Sequence, residues 1–298
     1  MTVHVPRLTL IGFGEAGRTF AAAGGWRAQT SAFDIKTQGS GAAAAEMRAA
    51  YAAQGLIGCE TSAEALAGAE IILSLVTADQ ATPAALDAAQ HLTPGALFCD
   101  MNSVSPGRKR ANAVAIEAAG GRYVDVAVMA PVQPAALNVP LLISGPHGDD
   151  AAAELRSIGY NKIQDCGTEI GAASATKMVR SVMIKGIEAL TAEMMLAADA
   201  AGVMQGVLAS LGGDWAEKAD YNLDRMLAHG TRRAAEMEEV AQTLRELGLE
   251  PLMTAGTIVR QRALGALLQG APMPEGLDAK LATITEKNKP EEGKADAA

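Results

Sequence analysis

Six short apolar runs, at residues 8–11, 31–35, 71–76, 97–101, 123–128 and 141–144, alternate with alanine-rich stretches of helical spacing. The stretches at 41–51, 83–91 and 106–119 are the clearest of these. Strands joined by crossover helices run parallel, and a parallel sheet needs helices over both of its faces. Residues 1–168 are therefore expected to form an α/β domain around a doubly wound, mostly parallel sheet. Local start signals agree. Thr61 with Glu64 has the spacing of a capping box, and Ser105-Pro106 sets an N-cap before a proline at the first helical position.

The pattern changes near Gly171. Residues 172 to about 202 read as one long helix, interrupted only by Gly186. Further helices are expected at 204–211, 215–228, 231–247 and 253–268, separated by Gly212-Gly213, Gly230 and Gly248. Residues 169–285 thus read as an all-α domain, which the family resemblance described below assigns to substrate binding and dimerisation. The stretch 286–298 is charged and lacks large apolar side chains, which predicts a disordered tail.

Composition narrows the possible functions. A chain of 298 residues, 49% hydrophobic and 20% charged, suits two globular domains. Its net charge of −9 argues against a nucleic-acid partner, because an acidic surface repels a phosphate backbone. The one dense basic run, Arg108-Lys109-Arg110, reads as a solvated helix face. Cys59, Cys99 and Cys166 are too few and too scattered for a disulfide framework or a zinc site, and Cys99 reads as a small core residue. The four histidines lack metal-ligand spacing, so no metal is expected. No apolar run approaches the roughly 18–20 residues that span a bilayer. The expectation is a cytoplasmic protein without a membrane partner.

The first strand carries the chemistry. Leu8-Thr9-Leu10-Ile11 runs into Gly12-Phe13-Gly14-Glu15-Ala16-Gly17, a strand, a glycine turn and the opening of a helix. In a Rossmann domain, the first glycine makes the turn, the second admits the pyrophosphate, and the third lets helix and strand pack closely. The phosphates then meet the unpaired N–H groups and dipole of a helix N-terminus. Asp34 lies 22 residues past Gly12, the spacing of the acid that binds the adenosine ribose. A carboxylate there repels a 2′-phosphate and favours NAD over NADP, a preference that neighbouring Lys36 softens. Val76 and Thr77, at the end of the third run, are expected to line the cofactor crevice.

These motifs resemble the β-hydroxyacid dehydrogenase superfamily, which includes 3-hydroxyisobutyrate and 6-phosphogluconate dehydrogenases. The resemblance spans about residues 7 to 200. It rests on Gly12–Gly17, on Asp100-Met101-Asn102-Ser103 before Pro106, and on Gly171-Ala172-Ala173-Ser174-Ala175-Thr176-Lys177. It implies hydride transfer between a hydroxy compound and a nicotinamide, with Lys177 as general acid/base and Asn102 and Ser103 as polar substrate contacts. A lysine suits that role because burial beside a cationic nicotinamide disfavours its ammonium form.

Two departures stand out. The family's Asn four residues after the lysine is here Ser181, preceded by Arg180. The family's Ser-Gly-Gly substrate loop is here Met129-Ala130-Pro131, which replaces a hydroxyl and two open amides with an apolar side chain and a proline. With the segment 229–237, these features resemble a poorly assigned branch with a distinctive C-terminal helical region. There Arg232 is an i,i+4 partner of Glu236 and a candidate anion contact. The resulting expectation is an NAD(P)-dependent dehydrogenase acting on a small molecule as a homodimer. An imine reductase and a non-catalytic nucleotide sensor are the alternatives.

Overall fold

The structure, a computed structural model, describes residues 6–27, 29–268 and 270–287. It comprises two compact units, Met1–Met178 and Val179–Ala298. The first unit holds eight strands: β1 (Leu8–Ile11), β2 (Thr30–Phe33), β3 (Ile57–Gly58), β4 (Ile71–Ser74), β5 (Leu97–Asp100), β6 (Arg122–Val128), β7 (Leu141–Ser144) and β8 (Ile163–Asp165). Its helices are α1 (Glu15–Gly24), α2 (Ala42–Ala53), α3 (Ser62–Leu66), α4 (Ala81–His91), α5 (Pro106–Ala118), α6 (Gly148–Ser157) and the opening turns of α7 (Ala172–Ala200).

The strands form one sheet in the order β3-β2-β1-β4-β5-β6-β7-β8. All pairings are parallel except β6 with β7. Leu8, Leu10, Leu73 and Cys99 belong to one apolar layer, and Ile11, Ile72 and Phe98 to the other. This burial of both faces is why the strands read as continuous apolar runs.

All six expected strands are present. Three of them end one or two residues earlier than the apolar runs do, which leaves Asp34, Val76 and Met101 in the loops beyond β2, β4 and β5. β3 and β8 went unforeseen. They are only two and three residues long, too short to show a period, and both lie at the sheet edges.

The helix caps follow the sequence signals. Thr61 Oγ1 accepts the Glu64 N–H at 3.2 Å and Ser105 Oγ accepts that of Arg108 at 3.3 Å. The basic run corrects its expectation, however. Arg108 and Arg110 are exposed, but Lys109 between them is 0% exposed. Helical spacing turns the middle residue inward, onto carboxylates described below.

In the second unit α7 is followed by α8 (Met204–Leu211), α9 (Trp215–Glu246), α10 (Leu252–Gly265) and α11 (Leu277–Lys287). Met195, Leu223, Met226, Leu264 and Ile284 form its core. The two helices expected either side of Gly230 are one, α9, of 32 residues. A mid-helix glycine costs about 1 kcal/mol, and here close contact offsets that. A Cβ on Gly230 would collide with the Gln261 carbonyl oxygen, and one on Gly265 with the Thr231 nitrogen. Gly230 is therefore the point where α9 and α10 cross, not a break. Glu286 and Lys287, expected in a disordered tail, close α11; residues 288–298 lie outside the described residues. Among the described residues no helix is long and apolar enough to cross a membrane.

Candidate active site

β1 is the point where the winding reverses, with β2 on one side and β4 on the other. The loops leaving β1 and β4 diverge there, and such a switch point is where doubly wound sheets bind ligands. The glycine turn is built for it. Gly12 has φ +92°, and a Cβ on it would lie 2.6 Å from the Leu75 carbonyl oxygen. A Cβ on Gly17 would lie 2.7 Å from the Gly12 carbonyl oxygen, so α1 packs against the turn only with glycine there. Gly14 is different: it is exposed, and a Cβ on it meets nothing within 4 Å.

Gly14 is also the N-cap of α1 and supplies no side-chain cap. The N–H groups of the first turn, at Glu15 and Ala16, thus lie at the positive end of a helix dipole without a capping side chain, a setting that suits a phosphate. Phe13 lies between the first two glycines of the turn. Its ring is buried and its N–H donates to Asp34 Oδ2 at 2.8 Å, while Asp34 Oδ1 accepts the Lys36 N–H at 3.0 Å. Asp34 follows β2 and braces the glycine turn. Each of its oxygens keeps a further lone pair for a hydroxyl, so the residues present fit an adenosine dinucleotide.

The loops after β4 and β5 are tied by Asn102. Its Oδ1 accepts the Val76 N–H at 2.7 Å, and its Nδ2 donates to Ser74 Oγ at 2.9 Å and Asp100 Oδ1 at 2.8 Å. Asn102 is buried and its amide is engaged inside the protein, whereas half-buried Val76 and exposed Thr77 line the loop it holds. Ser103, the next residue, accepts a hydrogen bond from Lys177 Nζ at 2.6 Å. Lys177 is the sixth residue of α7 and half-buried.

Beneath this pair lies a group of buried charges not anticipated from sequence. Lys109 Nζ reaches the Asp100 carbonyl oxygen at 2.5 Å, Asp100 Oδ1 at 3.0 Å and Asp125 Oδ1 at 3.3 Å. Asn112 and Tyr123 donate to Asp100 Oδ2 at 3.1 and 2.8 Å. Burial, and after it the Asp100 and Asp125 carboxylates, hold the Tyr123 phenol well above its ordinary range, so it stays a donor. Asp125 Oδ2 accepts the Ser174 N–H at 2.9 Å, and Ser144 Oγ accepts that of Ala173 at 3.0 Å. A signal was available: Asp100 and Asp125 each interrupt an apolar run, and a buried carboxylate requires a partner.

Met129 packs half-buried, as Cys166 does, against the cluster of Ala127, Leu142 and Ala173. The remaining predicted residues belong to the second unit. Ser181 is buried and Arg180 exposed. Lys185, also buried, donates to Ser181 Oγ at 3.4 Å and pairs with Glu236 at 2.9 Å. Arg232 pairs with the same Glu236 at 2.5 Å. Among the described residues no group of three or more His, Cys, Asp or Glu side chains could hold a metal ion. A cavity of about 800 Å³ opens beside Leu8, Trp26, Thr30 and Ile158, at the opposite ends of β1 and β2 from the glycine turn.

Residues 7–171 match the family described as the NAD binding domain of 6-phosphogluconate dehydrogenase, and residues 198–264 match a domain of unknown function, DUF1932. No curated protein matches the chain. Among solved structures, a conserved hypothetical protein from Sinorhizobium meliloti 1021 is 35% identical, over 96% of this chain and 97% of its own, with a TM-score of 0.74. A 3-hydroxyisobutyrate dehydrogenase from Mycobacterium tuberculosis, solved with L-serine, is 17% identical over 96% and 100% of the two chains, with a TM-score of 0.72. An imine reductase variant from Myxococcus stipitatus in complex with NAD+ is 20% identical over 95% and 100%, with a TM-score of 0.57. The last two share the fold. With its glycine turn in place and more than half its length matched, the chain belongs to the family built on the NAD binding domain of 6-phosphogluconate dehydrogenase, here followed by a DUF1932 domain.

Proposed function

We propose that this protein is an NAD-dependent oxidoreductase that moves hydride between a hydroxy compound and the nicotinamide ring, with Lys177 as general acid/base. The observation that carries the reading is the 2.6 Å contact between Lys177 Nζ and Ser103 Oγ, a residue that follows the carboxyl end of β5 as the glycine turn follows that of β1. The nicotinamide, when bound, takes up hydride in one direction and gives it in the other.

The chain supplies the rest. Lys177 accepts the hydroxyl proton at Nζ during oxidation and returns it during reduction. Ser103 accepts one N–H hydrogen bond from the Lys177 amine, which leaves its own O–H to donate to the substrate oxygen. Ser181, four residues further along α7, takes the place where the family carries Asn, with Lys185 orienting its hydroxyl. Asn102 acts as a positioning residue, since its amide is engaged within the protein. The N–H groups at Gly14, Glu15 and Ala16 hold the pyrophosphate between Gly12 and Gly17, and Asp34 holds the adenosine ribose and selects NAD over NADP. Met129 is proposed as an apolar substrate contact, and Arg180 and Arg232 as contacts to a substrate acid group.

The active form is proposed to be a homodimer. Along α7, Val179, Met183, Ile187 and Leu190 are exposed at helical spacing, with Ile184 beside them. A stripe of that kind is what a second copy would cover. Light-scattering mass across micromolar concentrations tests it, and a monomer mass throughout would refute it.

The function itself is tested by NADH formation, followed in the near ultraviolet, with NAD or NADP against hydroxy acids and aryl or sugar alcohols. Turnover with NAD supports the reading. NAD binding by calorimetry without turnover, on that panel and on cyclic imines with NADH, would favour a sensor. Absence of nucleotide binding would refute both.

A further inference from the structure

We propose that Lys109, Asp100 and Asp125 form a buried positioning unit that sets the approach of Lys177 to Ser103. The proposal rests on the reading of Lys177 as the acid/base, but its test does not depend on turnover.

Two arms leave the Lys109 ammonium. One runs through Asp100, whose Oδ1 accepts the Asn102 N–H at 3.1 Å as well as the Asn102 amide, and so fixes the turn that delivers Ser103. Asn112 and Tyr123 occupy the other oxygen of Asp100 and hold the carboxylate against rotation. The second arm runs through Asp125, which takes the Ser174 N–H. Ser144 Oγ donates to the same Asp125 oxygen at 3.3 Å and takes the Ala173 N–H, so the first turn of α7 is held three residues before Lys177. The arms end on two atoms 2.6 Å apart.

The register of β5 and β6 sets Asp100 directly beside Asp125. Two adjacent buried carboxylates repel, and Lys109, fully buried, is the cation between them. Stability does not account for such a cluster, because apolar replacements of buried ion groups are often neutral or stabilising. Orientation does: three side chains with few alternative partners define one geometry, and sites of this kind lose function when the supporting shell is loose. Asp100, Lys109 and Asp125 touch neither reacting atoms nor cofactor in this scheme. They are positioning residues.

The test compares Asp125→Ala, which removes the acceptor for Ser174, with Asp125→Asn, which keeps one. Asp125→Ala is expected to lower kcat about a hundredfold, the cost of roughly an ångström of misplacement, while NAD affinity by calorimetry changes less than about twofold. Asp125→Asn should recover kcat to within about threefold of wild type. Independently of activity, acylation of Lys177 by an amine reagent, quantified by peptide mass spectrometry, should accelerate roughly three- to tenfold in Asp125→Ala as the Ser103 bond is lost. Lys109→Met is expected to match Asp125→Ala. If either fails to bind NAD or to fold by circular dichroism, Ser144→Ala, which leaves every charge in place, carries the labelling test.

Unchanged Lys177 labelling in a folded Asp125→Ala or Ser144→Ala protein would overturn the proposal, whatever kcat does. Wild type inactive on every substrate, with labelling still accelerated in the variants, would sink the enzymatic reading and leave the positioning unit standing.

Discussion

The Asp34 carboxylate accepts the Phe13 backbone N–H at 2.8 Å, across 21 residues of chain. The residue proposed to bind the ribose is thus also the one that braces the glycine turn. Replacing it has two separable effects. Asp34→Asn keeps an acceptor for Phe13 but loses the charge, so the preference for NAD over NADP should narrow by about tenfold or more. Asp34→Ala loses both and should weaken binding of either nucleotide. Dissociation constants for both nucleotides with both variants check this; equal affinities in wild type would refute the assigned specificity.

Lys177→Ala should lower kcat by about 10²–10⁴ with NAD affinity nearly unchanged, the range for loss of a general acid/base. Ser103→Ala should cost less, since it removes a hydrogen bond and not the proton carrier. Single-turnover kinetics with a competent substrate separate the two, and a Lys177→Ala enzyme of wild-type rate removes the assignment.

The glycines make opposite predictions. Gly14→Ala meets no atom in the protein, so thermal stability should hold while NAD affinity falls, because the methyl group enters the proposed pyrophosphate hollow. Gly230→Ala drives a Cβ into the α10 backbone and should destabilise by about 2 kcal/mol or more. Gly256→Ala, in α10 with open space around it, should stabilise by about 0.5–1 kcal/mol. Thermal or urea unfolding ranks all three.

Stability should fall on the alkaline side. Burial pushes the Cys99 thiol above its ordinary 9.0, and burial with the neighbouring carboxylates pushes the Tyr123 phenol above its ordinary 10.0. For groups raised in the folded state, the stabilisation is complete below the unfolded value and is lost as pH rises past it. The urea midpoint should therefore drop from about pH 9 upward, and a Cys99→Ala or Tyr123→Phe variant should show a shallower drop. Native Cys99 should also resist alkylation at pH 8, where an ordinary exposed thiol reacts.

Much of the fold was legible without coordinates because its determinants are local. Apolar runs such as Ile71–Ser74 lie buried on both faces and so show as unbroken stretches. The caps at Thr61 and Ser105 are contacts between residues three apart. The glycine turn was legible for the same reason: Gly12, Gly14 and Gly17 answer to backbone sterics within one turn and its helix. What escaped was set by partners distant along the chain. Lys109 reads as one of three surface cations until the sheet brings Asp100 and Asp125 beneath it. Gly230 reads as a helix end until Gly265 is placed against it. The Asn102 amide, which joins the loops after β4 and β5, is set in the same way by a residue 26 positions earlier.

By itself, then, the sequence determined the six longer strands and most of the helices, where the dinucleotide turn lies, and that Lys177 opens a helix. Those follow from periodicity, capping and φ preferences acting over a few residues. Only the tertiary structure decided that Lys177 meets Ser103, that Asp34 braces Phe13, and that a buried lysine lies between two aspartates. Each of those is a contact whose energy depends on distance and desolvation, and neither quantity is defined until strands far apart in sequence are brought side by side.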